Sequence, residues 1–216
     1  MSLTSLNALI PKDQKQSNHY CKKEIIVQGT CFYKKIFHVK NGIVKISSIT
    51  KNGEETIPLL LTSGQYFGAK PMIDSFPFHY VCEAQKNNTE IQEFDIMILQ
   101  NLLHDKISEN IGFLKILGDQ YIELEKRIKM LYLRNTEQRI LHVLMEFKDK
   151  FDHKLDHQEN IIINMPLNQE EMSNYLRVTR VTINKIMNKL KRKLLIKSDQ
   201  NTLTLTKKFF EYYGTF

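Results

Sequence analysis

The sequence predicts an α+β chain in three parts: an N-terminal antiparallel β-roll over residues 1–107, a long helix over 108–134 and a C-terminal winged helix-turn-helix over 135–216. Three observations carry that prediction. The first hundred residues read as strands and turns, with glycines marking the turns. Residues 108–134 hold no proline and repeat apolar residues at alternating spacings of three and four. Pro166 to Ile196 reads as two short capped helices around a tight turn, the second of them studded with basic residues.

Within the first part, Asn41-Gly42 and Asn52-Gly53 flank the run Ile43 to Thr50 and are expected to be two hairpin turns. Two successive hairpins imply a roll or sandwich, with Gly29, Gly64 and Gly68 marking further turns. Its expected core is Phe32, Ile36, Phe37, Val39, Val44, Ile46, Leu59, Leu61, Phe67 and Val81.

On the long helix, Leu114, Leu117, Tyr121, Leu124, Ile128 and Leu131 form an a/d seam of the kind that meets a second helix. Phe113, Ile116 and Ile122 lie off the seam and are expected to pack on the roll. The seam is thereby left for a second copy of the chain, and a homodimer is expected.

In the third part, Asn168 and Glu171 have the spacing of a capping box and open a helix whose apolar positions are Met172 and Leu176. Thr179 offers a second N-cap. Beyond it Ile183, Ile186, Met187 and Leu190 fall on one stripe. Facing outward are Thr179, Arg180, Val181, Thr182, Asn184, Lys185, Asn188 and Lys189. Arg and Lys can donate to guanine, Asn can pair with adenine, Thr suits phosphate and Val181 suits a thymine methyl. Eight basic residues and no acidic one lie between Arg177 and Lys197. Such a helix is expected to enter the major groove of double-stranded DNA. Arg180 and Lys185 would read bases and Lys189 would hold phosphate. Leu195, Ile196, then Asp199-Gln200-Asn201, then Leu203 and Leu205 read as strand, turn and strand, which makes a wing.

Composition agrees. The net charge is +7, with 17 basic against 14 acidic side chains up to residue 134 and 14 against 10 in the shorter remainder. The denser positive charge therefore lies where phosphate would be met. Cys21, Cys31 and Cys82 are an odd set without paired spacing, so neither a disulfide framework nor a metal centre is expected. No apolar run is long enough to span a membrane, and the opening MSLTSLNALIPKD lacks the layout of a secretory or transit segment. Lysine at 25 residues against six arginines, with abundant Ile and Asn, is the usage of an AT-rich genome.

In its order of parts and in several segments the chain resembles the cyclic-AMP-receptor and fumarate–nitrate-reduction family of regulators. Lys23 to Gly29 and Ile36 to Ile46 look like the family's early strands, Ser63-Gly64-Gln65-Tyr66-Phe67-Gly68 like the turn at the mouth of its pocket, and Leu167 to Met172 with Val178 to Ile183 like its helix-turn-helix signature. The run Thr179 to Thr182 and an aromatic tail are most similar to the cyanobacterial nitrogen regulators, and the AT-rich usage points to a version encoded in a red-algal plastid. That resemblance implies a homodimeric transcriptional regulator of nitrogen-related genes, a palindromic GTA and TAC operator, and contact with RNA polymerase if it activates. It implies a plastid stroma, or otherwise a bacterial cytoplasm, and no membrane.

Departures from the family matter for the effector. Gly68 is followed by Ala69 and Lys70 where cyclic-nucleotide binders have Gly-Glu, and no arginine precedes Arg127, so cyclic AMP is not expected. The nitrogen regulators hold 2-oxoglutarate with backbone at the Phe-Gly turn, an arginine in the roll, and an arginine and a glutamate on the long helix. Phe67, Gly68 and Glu125 match, whereas the roll arginine falls near Pro77 and the helix arginine on Gln120. Phe67, Gly68, Ala69, Lys70, Gln120 and Glu125 are therefore the effector pocket that the resemblance implies. Lys70 and Arg127 are the available replacement cations. Dianion burial needs fixed positive partners, so 2-oxoglutarate is expected to bind weakly or not at all, and no other cofactor is expected. The family's usual glycines are replaced by Arg177 in the turn and by Leu195 before the wing.

Two other classes compete. Metal-dependent cupin-type enzymes share such rolls but need clustered histidines, whereas His38 and His79 are isolated and His153 and His157 sit in a polar linker. A dimeric protein-interaction module with incidental basicity is the other. The regulator reading implies no catalytic residues and no metal site.

Overall fold

The computed structural model describes residues 10, 11, 13, 15–29, 34–50, 52–68, 80–98, 101, 107–199 and 201–214, with side chains of the long helix from residue 114. The chain divides into two compact units, Met1–Lys126 and Arg127–Phe216. The division falls inside the long helix, which spans Ile107–Tyr132 as α1.

Among its described residues the first unit carries eight strands: β1 (Gln16–Tyr20), β2 (Ile25–Gly29), β3 (Lys35–Asn41), β4 (Ile43–Ile49), β5 (Glu55–Thr62), β6 (Tyr66–Phe67), β7 (Tyr80–Ala84) and β8 (Thr89–Asp95). They form two antiparallel sheets, ordered β1-β8-β3-β6 and β2-β7-β4-β5. Asn52-Gly53 does turn a hairpin, since β4 pairs β5 from Ile49↔Glu55 onward. Asn41-Gly42 does not. β3 and β4 belong to different sheets, and Gly42 is the single residue at which the chain changes from one to the other. Gly42 has φ +104, and a Cβ there would lie 2.4 Å from the Thr89 hydroxyl, so both conformation and space demand glycine.

Alternation along the strands gives two apolar clusters. Phe37, Val39, Val44, Leu61, Phe67, Cys82 and Ile91 meet inside the roll, flanked by half-buried Ile46 and Leu59. Phe37 and Phe67 stack at 4.9 Å. Ile10, Ile36, Tyr66, Phe94 and Ile96 form the second cluster, against which Ile116 of α1 packs. Val81 of the expected core is half-buried, and Phe32 lies outside the described residues. Ile116 thus packs on the roll as expected, but Ile122 is exposed, and the side chain of Phe113 is outside the described set. On the face turned away from the interior, Lys45 is 4% exposed. Its ammonium stands 3.0 Å from Glu55 and 3.6 Å from Glu83.

The second unit holds the end of α1, α2 (Thr136–Lys150), β9 (His153–Leu155), β10 (Ile161–Asn164), α3 (Gln169–Leu176), α4 (Arg180–Arg192), β11 (Ile196–Asp199), β12 (Thr202–Leu205) and α5 (Lys207–Tyr213). The segment read as a polar linker contains strand β9, which pairs with β10 at the edge of a sheet ordered β11-β12-β10-β9. His153 lies on that exposed edge, and His157 is exposed in the turn after it. The core of this unit is Ile140, Leu141, Val143, Leu144 and Phe147 of α2 against Ile163, Met172, Tyr175, Leu176, Ile183, Leu190, Leu203, Leu205 and Phe209. Asn135 caps α2, its side chain accepting from the Glu137 amide at 2.9 Å.

Candidate nucleic-acid interface

Capping fixes the helix-turn-helix locally. The Asn168 side chain accepts from the Glu171 amide at 2.9 Å, and the Glu171 carboxylate accepts from the Asn168 amide at 3.0 Å, a complete capping box. Arg177 ends α3 in the left-handed region (φ 55, ψ 46), occupying the turn position without glycine. Thr179 then starts α4, accepting from the Thr182 amide at 3.2 Å. The last carbonyls of α3 are met by two guanidinium groups. Arg127 donates to the Tyr175 carbonyl and stands 3.5 Å over the Tyr175 ring. Arg139 donates to the Leu176 carbonyl at 3.3 Å. Cations at a helix C-terminus complement its dipole, which α3 lacks in its own last turn.

The wing follows a second left-handed residue. That residue is Leu194 (φ 58), not Leu195, which is buried because it points into the unit's core. β11 and β12 pair from Ile196↔Leu205 to Asp199↔Thr202. Gln200 lies outside the described residues.

On α4, Ile183 and Leu190 are fully buried, while Ile186 and Met187 are half-buried at the margin of the same stripe. The opposite face is open. Val181 is 77% exposed, and Lys185, Asn188 and Arg192 continue its stripe at steps of four, three and four residues. Arg180 and Asn184 flank that stripe on one side. Arg192 was missing from the expected set because the sequence motif ends before it; helical periodicity from Lys185 would have found it. Thr182 is half-buried, its hydroxyl 2.9 Å from that of Thr179, so it serves the cap. Lys189, the expected phosphate contact, has an acidic partner within the unit. Its ammonium is ion-paired with Glu137 in the first turn of α2. The Tyr212 hydroxyl donates to the other Glu137 oxygen at 2.9 Å, and Lys193 lies 4.4 Å over the Tyr212 ring. Burial opposes ionisation of Glu137, but the hydrogen bonds from Lys189 and Tyr212 outweigh it and hold the carboxyl below its usual range.

The effector residues fare differently. Phe67 is committed to the roll's interior stack. Gly68 has φ +92, and a Cβ there would meet the Lys35 carbonyl at 2.7 Å. Ala69, Lys70 and Pro77 lie outside the described residues. Gln120, where the helix arginine was sought, donates its amide to the Tyr66 carbonyl at 2.6 Å. Glu125 is exposed. Arg127, named as a replacement cation, has its guanidinium buried in the second unit on Tyr175. Lys35, overlooked in the sequence, runs beside Gly68, but its ammonium is paired with Glu93 at 2.7 Å.

Along α1 the seam is open: Leu114, Tyr121 (69%), Leu124 and Ile128 (54%) are exposed, and Leu117 and Leu131 are half-buried.

A model of the Crp-like helix-turn-helix domain matches residues 138–208, and one of the cyclic nucleotide-binding domain matches residues 17–106. The chain belongs to the cyclic-AMP-receptor and fumarate–nitrate-reduction family of regulators. It is a transcriptional regulator with a helix-turn-helix DNA-binding domain, and members of this family are not enzymes. Solved structures share the fold. A CRP-family transcriptional regulator from Thermus thermophilus aligns with TM-score 0.76 and 17% identity over 91% of this chain and 96% of its own. FixK2 from Bradyrhizobium japonicum aligns at 0.74 and 16% identity over 91% and 96%. A CooA mutant from Carboxydothermus hydrogenoformans aligns at 0.71 and 22% identity over 97% and 96%. No curated protein matches the sequence. Among the described residues no group of three His, Cys, Asp or Glu side chains could hold a metal, and no helix is long and apolar enough to cross a membrane.

Proposed function

We propose that the regulator acts as a homodimer on a palindromic DNA site, each protomer laying α4 in the major groove with Arg180, Val181, Lys185, Asn188 and Arg192 toward the bases and backbone. The observation that carries this is the pairing of two open faces in one chain: a cationic face on a capped recognition helix, and an apolar a/d seam along α1. A two-fold dimer spaces its recognition helices about one duplex turn apart, which a palindrome requires. The operator is a GTA and TAC palindrome and the regulated genes are nitrogen-related, a reading supported by the resemblance of Thr179-Arg180-Val181-Thr182 to the nitrogen regulators. The same resemblance, with the AT-rich usage, supports a plastid stroma or else a bacterial cytoplasm. RNA polymerase is the further partner where the protein activates.

The effector reading is negative: neither cyclic AMP nor 2-oxoglutarate governs DNA binding. A buried dicarboxylate requires charge-assisted donors. Gln120 already serves the Tyr66 carbonyl, Arg127 serves Tyr175, and Lys35 is held by Glu93, a carboxylate of the chain itself. Selection of bound sequences from a random duplex library, with sedimentation of the free protein, tests the function. Recovery of a palindrome by a dimer is the expected result. A dimer that binds duplexes only weakly at physiological salt would instead favour the protein-interaction module.

A further inference from the structure

Glu137 is ion-paired with the recognition helix through Lys189. Between Arg177 and Lys197 the chain has no carboxylate of its own, and Glu137 reaches α4 from the first turn of α2. One of its oxygens takes the Lys189 ammonium and the other takes the Tyr212 hydroxyl. Its side chain is 13% exposed, whereas that of Lys189 is 49% exposed. The carboxylate is therefore fixed and the lysine is the partner drawn to it. Lys189 is exposed on the flank of α4 beside the open stripe of Lys185, Asn188 and Arg192. A lysine contact to phosphate adds affinity without regard to sequence.

We propose that Glu137 is a specificity-determining residue: it holds Lys189 off the DNA backbone, so that binding rests on the residues of the open stripe and discrimination between operator and other duplex is raised. The proposal rests on α4 being the groove-entering helix. It gives Lys189 the opposite role from the one its charge suggests, and it makes α5 a participant through Tyr212.

The test compares the full-length regulator with Glu137→Gln, Lys189→Gln and the double variant. Binding is measured against salt on mixed-sequence duplex and on a duplex selected by the wild type. Glu137→Gln keeps an oxygen for Tyr212 and releases Lys189. It should steepen the fall of affinity with salt by one phosphate contact per protomer, a slope change of about 1.8 for the dimer, which between 50 and 200 mM salt is roughly a further twelve-fold loss. Its gain on mixed-sequence duplex should exceed its gain on the selected duplex. Lys189→Gln alone should leave the slope at the wild-type value, and the double variant should return to it. Equal slopes for wild type and Glu137→Gln overturn the proposal, as does a double variant as steep as Glu137→Gln, which would assign the effect to Glu137's own repulsion of phosphate. A slope that falls in Lys189→Gln overturns it too, since Lys189 would then already be on the backbone. A wild type that binds neither duplex would remove the groove-binding reading beneath it.

Discussion

The open face of α4 and the roll belong to different units, and their polar groups are spent in opposite ways. On α4 the caps, the αL turn and the inward stripe are satisfied within the unit, and Arg180, Lys185 and Arg192 hold no ion pair among the described residues. In the roll, Phe67 stacks on Phe37, Gln120 bonds Tyr66, and Lys35 bonds Glu93. One surface is organised and left open, whereas in the roll Gln120 and Lys35 are answered by groups of the same unit. A site built to take a charged ligand keeps donors in reserve, because an interaction already made in the free protein must be broken before a ligand can use it. Among the described residues, Arg180, Lys185 and Arg192 keep that reserve, whereas Gln120 and Lys35 have spent theirs.

The largest break in the comparison comes from the seam. Replacing Leu124 and Ile128 together with Glu would place unpaired charge in the helix pair, at on the order of 3–5 kcal/mol for each buried charge. Sedimentation should show a monomer, and palindrome binding should drop to that of a half-site; a persistent dimer would put the interface elsewhere. Within the roll, Phe67→Ala removes half of the interior stack and should lower stability by about 3–5 kcal/mol, read as a shifted denaturation midpoint. Such a cavity should not create affinity for 2-oxoglutarate, since it supplies volume and no cation. Calorimetry on the wild type should likewise show no micromolar binding, with or without operator, and a micromolar constant tightened by DNA would invert the comparison. On the open face, Arg180→Ala should cost about 1–3 kcal/mol of operator affinity and relax base preference, measured by competition among single-base variants of the selected duplex. The smallest effect is on the hinge before the wing. Leu194→Gly relieves a left-handed side chain that is exposed and packs little, and should stabilise the chain by about 0.5–1 kcal/mol in denaturant titration.

What was legible in the sequence was local. The Asn168 and Glu171 box, the Thr179 cap, the inward positions Met172, Leu176, Ile183 and Leu190, and the three-four seam each depend on spacings of a few residues, and each is found where those spacings place it. Non-local facts were not. Asn41-Gly42 has the chemistry of a hairpin turn, and only the pairing of β3 with β8 and of β4 with β7 makes it a crossing between sheets. Glu137 and Lys189 are 52 residues apart, so nothing near either one announces their ion pair. Arg127 follows Glu125 closely on the helix, yet two residues rotate a helical side chain by roughly half a turn, and its partner Tyr175 is 48 residues away, so nothing nearby announces that bond. The left-handed residue before the wing was misplaced by a single position. Leu194 and Leu195 are alike in composition, and only burial tells which of the two carries the bend.

Lys45, seated between Glu55 and Glu83, acts as a proofreader of strand alignment. Side chains on a strand alternate, so a shift of β4 by one residue would turn Val44 and Ile46 outward and carry the ammonium of Lys45 into the apolar interior beside Leu61 and Cys82. An unpaired charge there would cost several kcal/mol, while Val44 and Ile46 would leave the interior cluster for the face that Leu60 and Glu83 share with Lys45. The misaligned roll is thereby penalised twice, and a lysine that adds little to the stability of the correct fold excludes its nearest wrong neighbour.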